Sequence, residues 1–501
     1  MAVKETKPLD PYVFLLLVLT LAMLLVRLYA ARVVGWGDSE ALYATYATHP
    51  QPAYLDHPGL VGVFASALGG GRLPSAAAAH VATAALATAF PWIVVVVARS
   101  LGAAPRPSAI VGLVVAATPE IGVGLFAMTP DLLLAFLWLA FLGLGAAALE
   151  APKGTARAAA LFVAAGLFVG AASTAKVTGL LLLPAMAAAV WTDGTHRKTP
   201  WPWVGMLVGL VPLVPIVRFE AARGFPMLHH RLVDTQHAAG VSLRNLGALF
   251  GGQLVYLSPV IAILAVLVAR DLVRARKEDA ITRLLFWTFA IPLVPLVALC
   301  AWSRVAEPHW LAPPLLALPI FAARRGLAFS RKLVGSAVAI GLALVAAVYA
   351  WVLSPSLLRF APASYDAKAD ISNELFGWRD AARAANEMMQ DTTSETGEVP
   401  WLVGPSWMVC AQLQATSPDA RVGCVTSIPS DFDDWAPRSR FLQSNALVYV
   451  TEAKPFEREE PPLPDALRAF HVARTERVSI VRGGKVVRAF RLALLEKLGA
   501  G

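Results

Sequence analysis

Eleven mostly apolar runs punctuate the first 353 residues, at about 12–31, 74–98, 108–126, 131–149, 157–174, 177–192, 201–217, 251–270, 283–301, 310–323 and 333–353. A helix needs ~20 such residues to cross a bilayer. The sixth and tenth runs are short, and the others reach or approach that length. The pattern predicts an α-helical polytopic membrane protein of about 11 transmembrane helices. From about Ser354 onward the chain turns charged and ordinary in composition. There, 376–389 has the period of an amphipathic helix, 400–409 and 446–450 read as buried strands, and 478–492 reads as a hairpin around Arg482-Gly483-Gly484-Lys485. Two domains follow: a membrane domain, 1–353, with an external first loop at 32–73, and a small external α/β domain, 354–501.

Composition sharpens this picture. The chain is 57% hydrophobic and 15% charged, with a net charge of +9 and a mean hydropathy of +0.60, outside the range of soluble domains. The basic residues sit in short clusters between apolar runs, as in proteins that set their topology by charge, so nucleic acid is not the expected partner. One set of alternate loops holds 17 Lys and Arg before residue 354 and the other set holds 8. The positive-inside rule then places the N-terminus in the cytoplasm, and eleven crossings place the tail outside. No small-residue cleavage site follows the first run, which therefore stays as a span. Cys410 and Cys424 lie in the tail, where an oxidising compartment favours their pairing. No CxxC metal cage is present.

The candidate chemistry gathers on the external side. Gly35-Trp36-Gly37-Asp38-Ser39-Glu40 and Tyr54-Leu55-Asp56-His57-Pro58 follow the first span, and Asp131, Lys176 and the loop Ser303-Arg304-Val305-Ala306-Glu307-Pro308-His309-Trp310 fall on the same face. Carboxylates and imidazoles at a bilayer surface suit proton transfer on a lipid-borne substrate. Each also has a structural reading: helix capping for Asp38, a turn for Asp56-His57-Pro58, and interfacial anchoring for Asp131, Lys176 and Arg304. Asp431 to Trp435, an acidic stretch, reads as a solvated turn rather than a cation site. P-loop, GxGxxG, HExxH and GxSxG patterns are absent.

Six segments in order resemble the bacterial GT-C glycosyltransferases of the family 39 group, which includes protein O-mannosyltransferases and lipid A aminoarabinose transferases. They are Gly37 to Tyr43, Tyr54 to Val61, Thr129-Pro130-Asp131 with Phe136-Leu137-Trp138, Gly170 to Gly179, Glu307-Pro308-His309-Trp310 with Pro313, and Leu375 to Asp380. The resemblance covers roughly residues 10 to 390. One departure is Gly59, where the family has the second proline of a pair; it loosens the backbone after His57.

The resemblance implies an enzyme of the plasma membrane, a hexosyl or pentosyl transferase. Such enzymes pass a sugar from a polyprenyl-phosphate donor to a hydroxyl of a glycolipid, glycan or protein at the external face. Asp38 is the expected general base, with Glu40 or Asp131 orienting it or the acceptor. Residues two apart on a helix point about 200° apart, so Asp38 and Glu40 do not share a face and one of them is structural. Lys176 and Arg304 are the expected partners of the carrier phosphate, with His57, His309 and Asp56 completing the donor site. No cofactor is implied, although external carboxylates and histidines are compatible with a divalent metal. The competing reading is a flippase or transporter of lipid-linked sugars, whose charges would sit mid-membrane on broken helices.

Overall fold

The computed structural model describes residues 9–236, 239–303, 307–327, 329–453 and 462–498. Among them, seven helices are long and apolar enough to cross a membrane: Pro11–Val33, Ala76–Ser100, Pro130–Glu150, Ala156–Ala175, Trp201–Ala222, Ala280–Trp302 and Arg331–Leu353. Counting two bent pairs as spans raises the number to nine, below the eleven expected. The run at 108–126 is Pro105–Ala117 and Pro119–Phe126, bent by 72°; the run at 251–270 falls across Leu243–Tyr256 and Pro259–Ala275, bent by 105°. Pro119 and Pro259 lack an N–H and hold the residue before them out of the helical region, which breaks each run. The run at 177–192 lies in a shorter apolar segment, Val177–Asp193. That at 310–323 is divided among Pro308–Leu311, Ala312–Leu315 and Ala317–Arg325 around Pro313-Pro314.

Two compact units emerge. The first comprises Met1–Leu28, Asp56–Leu60 and Ala82–Val348. Its core is helix on helix, with Phe90, Trp138, Phe141, Phe162 and Phe321 fully buried. Helices Ala156–Ala175 and Trp201–Leu210 meet backbone to backbone through Gly166 and Gly170 on one side and Gly205 and Gly209 on the other. A Cβ on Gly166 would lie 1.8 Å from the Gly205 carbonyl oxygen. Such small-residue seams let membrane helices approach where hydrophobicity offers no driving force. Arg27 is buried in Pro11–Val33, and its guanidinium donates to the carbonyls of Ile121 and Gly122 at 2.9 Å each and to Thr88 Oγ1 at 2.9 Å. It satisfies carbonyls left open where the short helix Pro119–Gly122 ends, as a bilayer interior demands.

The second unit comprises Tyr29–Leu55, Val61–Val81 and Tyr349–Gly501. Its sheet runs β1 (Trp401–Gly404), β2 (Val422–Cys424), β3 (Ala446–Ala453), β4 (Phe470–Arg482) and β5 (Lys485–Lys497), in the order β2-β1-β3-β5-β4. β1 pairs in parallel with β2 and β3, and β5 runs antiparallel to β3 and β4. The β4–β5 hairpin turns at Gly483 and Gly484, whose φ values of 55° and 81° suit glycine. The strand expected at 400–409 stops at Gly404, because Ser406 caps a helix, Trp407–Thr416. Cys410 on that helix is disulfide-bonded to Cys424 on β2. The stretch after the first span packs in this unit: Gly35 N donates to Leu375 O at 2.8 Å. Asp431 is buried and accepts from Tyr46 Oη at 3.2 Å and from Leu55 N at 3.0 Å, so the first residue of the acidic stretch is an anchor, whereas Asp434 is exposed as a solvated turn residue would be.

Candidate functional site

In the second unit, Asp38 opens a helix, Asp38–Thr45. Its Oδ1 accepts from Gln412 Nε2 at 2.9 Å. Burial raises its affinity for a proton, opposed by the Gln412 bond and the Arg488 guanidinium. Glu374 is pushed up to about 7, first by burial and then by the Asp38 charge, and accepts the Asp38 backbone N–H. Arg488 is held by Glu452 at 2.8 and 3.1 Å. Glu40 has another task. Its Oε2 accepts the Gly37 N–H at 3.0 Å, and its Oε1 lies 3.1 Å from His80 Nε2, with both side chains buried. This is a helix-start box braced by an imidazole. Asp38 and Glu40 thus face different partners, as their spacing requires.

In the first unit a second group assembles. Asp131, on the first turn of Pro130–Glu150, is bridged by Lys176, the residue that ends Ala156–Ala175: Nζ donates to the two carboxylate oxygens at 2.7 and 2.9 Å. His309 Nε2 is 3.8 Å from Asp131, and its Nδ1 is 3.7 Å from Glu307. Arg231 donates to the Asp56 carbonyl at 3.1 and 3.0 Å, reaches the Asp56 carboxylate at 3.3 Å and faces His57 Nε2 at 3.4 Å. His57 is buried, and burial and the Arg231 charge hold its proton affinity well below that of free imidazole. A guanidinium has no lone pair to offer. In the neutral ring that this contact favours, His57 Nε2 accepts and the proton is assigned to Nδ1. Glu120 lies within the electrostatic field of Asp131 and Lys176, and its Oε2 is buried with no hydrogen-bond partner among the described residues. It also lines a mostly apolar cavity of about 400 Å³ with Thr118, Ile121, Leu257 and Leu316, which extends to Arg106 and Arg331.

The structure therefore brings Asp56, His57, Asp131, Lys176 and His309 into one unit and places Asp38 and Glu40 in the other. Arg304 lies outside the described residues. Sequence reading missed Gln412, Glu374, Arg488, Glu120 and His80, which only the fold connects to the candidates. Arg231 was visible as one of the 8 basic residues on the sparse side, and that scarcity was the available signal. Among the described residues, no three of His, Cys, Asp or Glu are grouped to hold a metal ion.

Residues 64–219 match the family model of the dolichyl-phosphate-mannose-protein mannosyltransferases. No curated protein matches the chain by sequence. The fold is similar to that of ArnT from Cupriavidus metallidurans. In its apo state the TM-score is 0.61 at 16% identity, covering 95% of this chain and 97% of that one. Bound to undecaprenyl phosphate, ArnT gives a TM-score of 0.59 at 16% identity with the same coverage. With residues 64–219 matching the mannosyltransferase model and an ArnT-like course over nearly its whole length, the chain is a polytopic membrane protein with the fold of the GT-C glycosyltransferases.

Proposed function

We propose that this protein is a membrane glycosyltransferase that moves a sugar from a polyprenyl-phosphate donor to an acceptor hydroxyl at the external face of a plasma membrane. The observation that carries the reading is Asp38, a carboxylate left partly open, fixed by Gln412 and raised in proton affinity by burial. As the acceptor oxygen bonds to the anomeric carbon, Asp38 takes its proton, and the bond from that carbon to the phosphate oxygen breaks. The pair of electrons leaves with the carrier phosphate, where cations lower the barrier most. The resemblance to the family, rather than any relation between the two units, assigns that charge to Lys176, oriented by Asp131. Arg231 joins it, and Arg304 keeps the role its sequence position suggests. His57, being neutral, serves as a hydrogen-bond donor through Nδ1 rather than as a charge.

The apolar cavity beside Glu120 suits part of a hydrocarbon carrier, and ArnT binding undecaprenyl phosphate supports that class of donor. The sugar is a hexose or pentose, and the acceptor a glycolipid, glycan or protein. The 17-to-8 asymmetry of basic residues supports a cytoplasmic N-terminus and an external tail. Nothing in the fold or the family match favours a flippase. The test is transfer by purified protein in detergent, with undecaprenyl-phosphate-linked mannose and aminoarabinose as donors and envelope glycolipid as acceptor. Neither a transporter nor a scaffold forms a new glycosidic bond there.

A further inference from the structure

Gln412 is fully buried, and both hydrogens of its amide are committed: Nε2 donates to the Trp36 carbonyl at 2.9 Å and to Asp38 Oδ1 at 2.9 Å. The Trp36 carbonyl only accepts, and so does the Asp38 carboxylate when ionised. Turning the amide over would set Oε1 against two acceptors, so its orientation is fixed by its surroundings. Its Oε1 is buried with no partner among the described residues, a cost that the two bonds from Nε2 offset. The mount is rigid. Ser406 caps the helix by accepting from Val409 N, and Cys410, two residues before Gln412, is bonded to Cys424 on β2.

We infer that Gln412 is the positioning residue of the reaction, holding the Asp38 carboxylate by Oδ1 so that Oδ2 faces the acceptor hydroxyl. The inference rests on the reading of Asp38 as the base. A neutral donor on one carboxylate oxygen favours the anion, so Gln412 offsets part of the effect of burial and keeps Asp38 ionised where it must accept a proton. It also removes one of the two oxygens from competition and fixes the direction of the other.

The test replaces Gln412 with Met, which keeps the reach and loses both donors, and with Glu, which sets a second carboxyl against Asp38. Transfer is followed with undecaprenyl-phosphate-linked mannose as the probe donor. Independently of activity, Asp38 is titrated by infrared spectroscopy on protein carrying 13C-labelled aspartate, using the carboxyl band that Asp38→Asn removes. For Gln412→Met, kcat should fall about ten- to hundredfold with the donor KM within about twofold, and the Asp38 midpoint should rise by about one to two pH units. Gln412→Glu should raise it at least as far. An unmoved midpoint in a variant that keeps its Cys410–Cys424 bond, with only thermal stability lowered, would reduce Gln412 to packing and overturn the inference. Should Asp38→Asn retain transfer, the assignment of the base fails instead, and the infrared midpoint still decides whether Gln412 controls Asp38.

Discussion

At the residue scale, the decisive contrast is between two carboxylates two positions apart. Both oxygens of Glu40 are engaged by Gly37 N and His80, whereas the Asp38 side chain, among the described residues, is bonded through Oδ1. Asp38→Asn should therefore lower transfer by at least ~100-fold in folded protein, while Glu40→Gln should act mainly on stability; transfer rates at matched protein amounts separate the two. Because burial raises the proton affinity of Asp38, transfer should fall on acidification with a midpoint above that of a free aspartate. A rate–pH profile checks this. Glu374 gives a stability test with the opposite emphasis. Its folded value of about 7 exceeds the 4.5 of a free glutamate, so its contribution is fully present below about 4.5 and is lost as pH rises through about 7. Glu374→Gln, a stand-in for the neutral acid, should raise Tm by roughly 2–4 °C at pH 8, an estimate reduced for partial exposure, and by less at pH 5.

At the scale of elements, the lesson is where apolar runs end. Hydropathy locates the long spans, but it passes over Thr118-Pro119 and Ser258-Pro259, where the backbone turns by 72° and 105°. Both prolines were legible as breaks; the side chains that exploit them were not, since Arg27 reaches the first break from 94 residues away. The same holds for the candidate site. Asp38, Asp131 and Lys176 stood out as polar residues beside apolar spans, but Gln412 and Glu374 have no local signal, because their meaning comes only from folding onto the stretch around Asp38. Two packed elements yield a prediction of their own. Gly166→Ala puts a Cβ where the Gly205 carbonyl now sits, at 1.8 Å, and backbone cannot rotate away as a side chain can. The helices must separate, at a cost of about 1–3 kcal/mol or more, and thermal unfolding in nanodiscs should show a clear drop in Tm. Donor binding separates a second pair of roles. Lys176→Ala and Arg231→Ala should each raise the donor KM about tenfold or more and leave the acceptor KM nearly unchanged, as kinetics with each substrate varied in turn would show.

At the scale of the whole molecule, sidedness decides whether this chemistry has access to its substrates. The charge asymmetry, 17 basic residues against 8, holds for the alternate loops of eleven crossings, with the shorter runs at 177–192 and 310–323 counted as crossings, and it was counted without reference to any candidate site or cysteine. Independently of it, Cys410 and Cys424 are disulfide-bonded in the tail, a bond that persists in oxidising compartments and is rare in a reducing cytosol. Both arguments support the proposal that residues 354–501 lie outside, and the charge count alone assigns Lys153 to the cytoplasmic side. Single-cysteine labelling in intact cells tests them together, in a background where Cys300 is buried and the other two cysteines are bonded. Ser394 and Lys153 are both exposed in the fold, so accessibility alone does not favour either. A membrane-impermeant maleimide should label Ser394→Cys in intact cells and Lys153→Cys only after permeabilisation. The reverse pattern would place the tail, and Asp38's partner Gln412 with it, in the cytoplasm, and would remove the external acceptor from the proposed reaction.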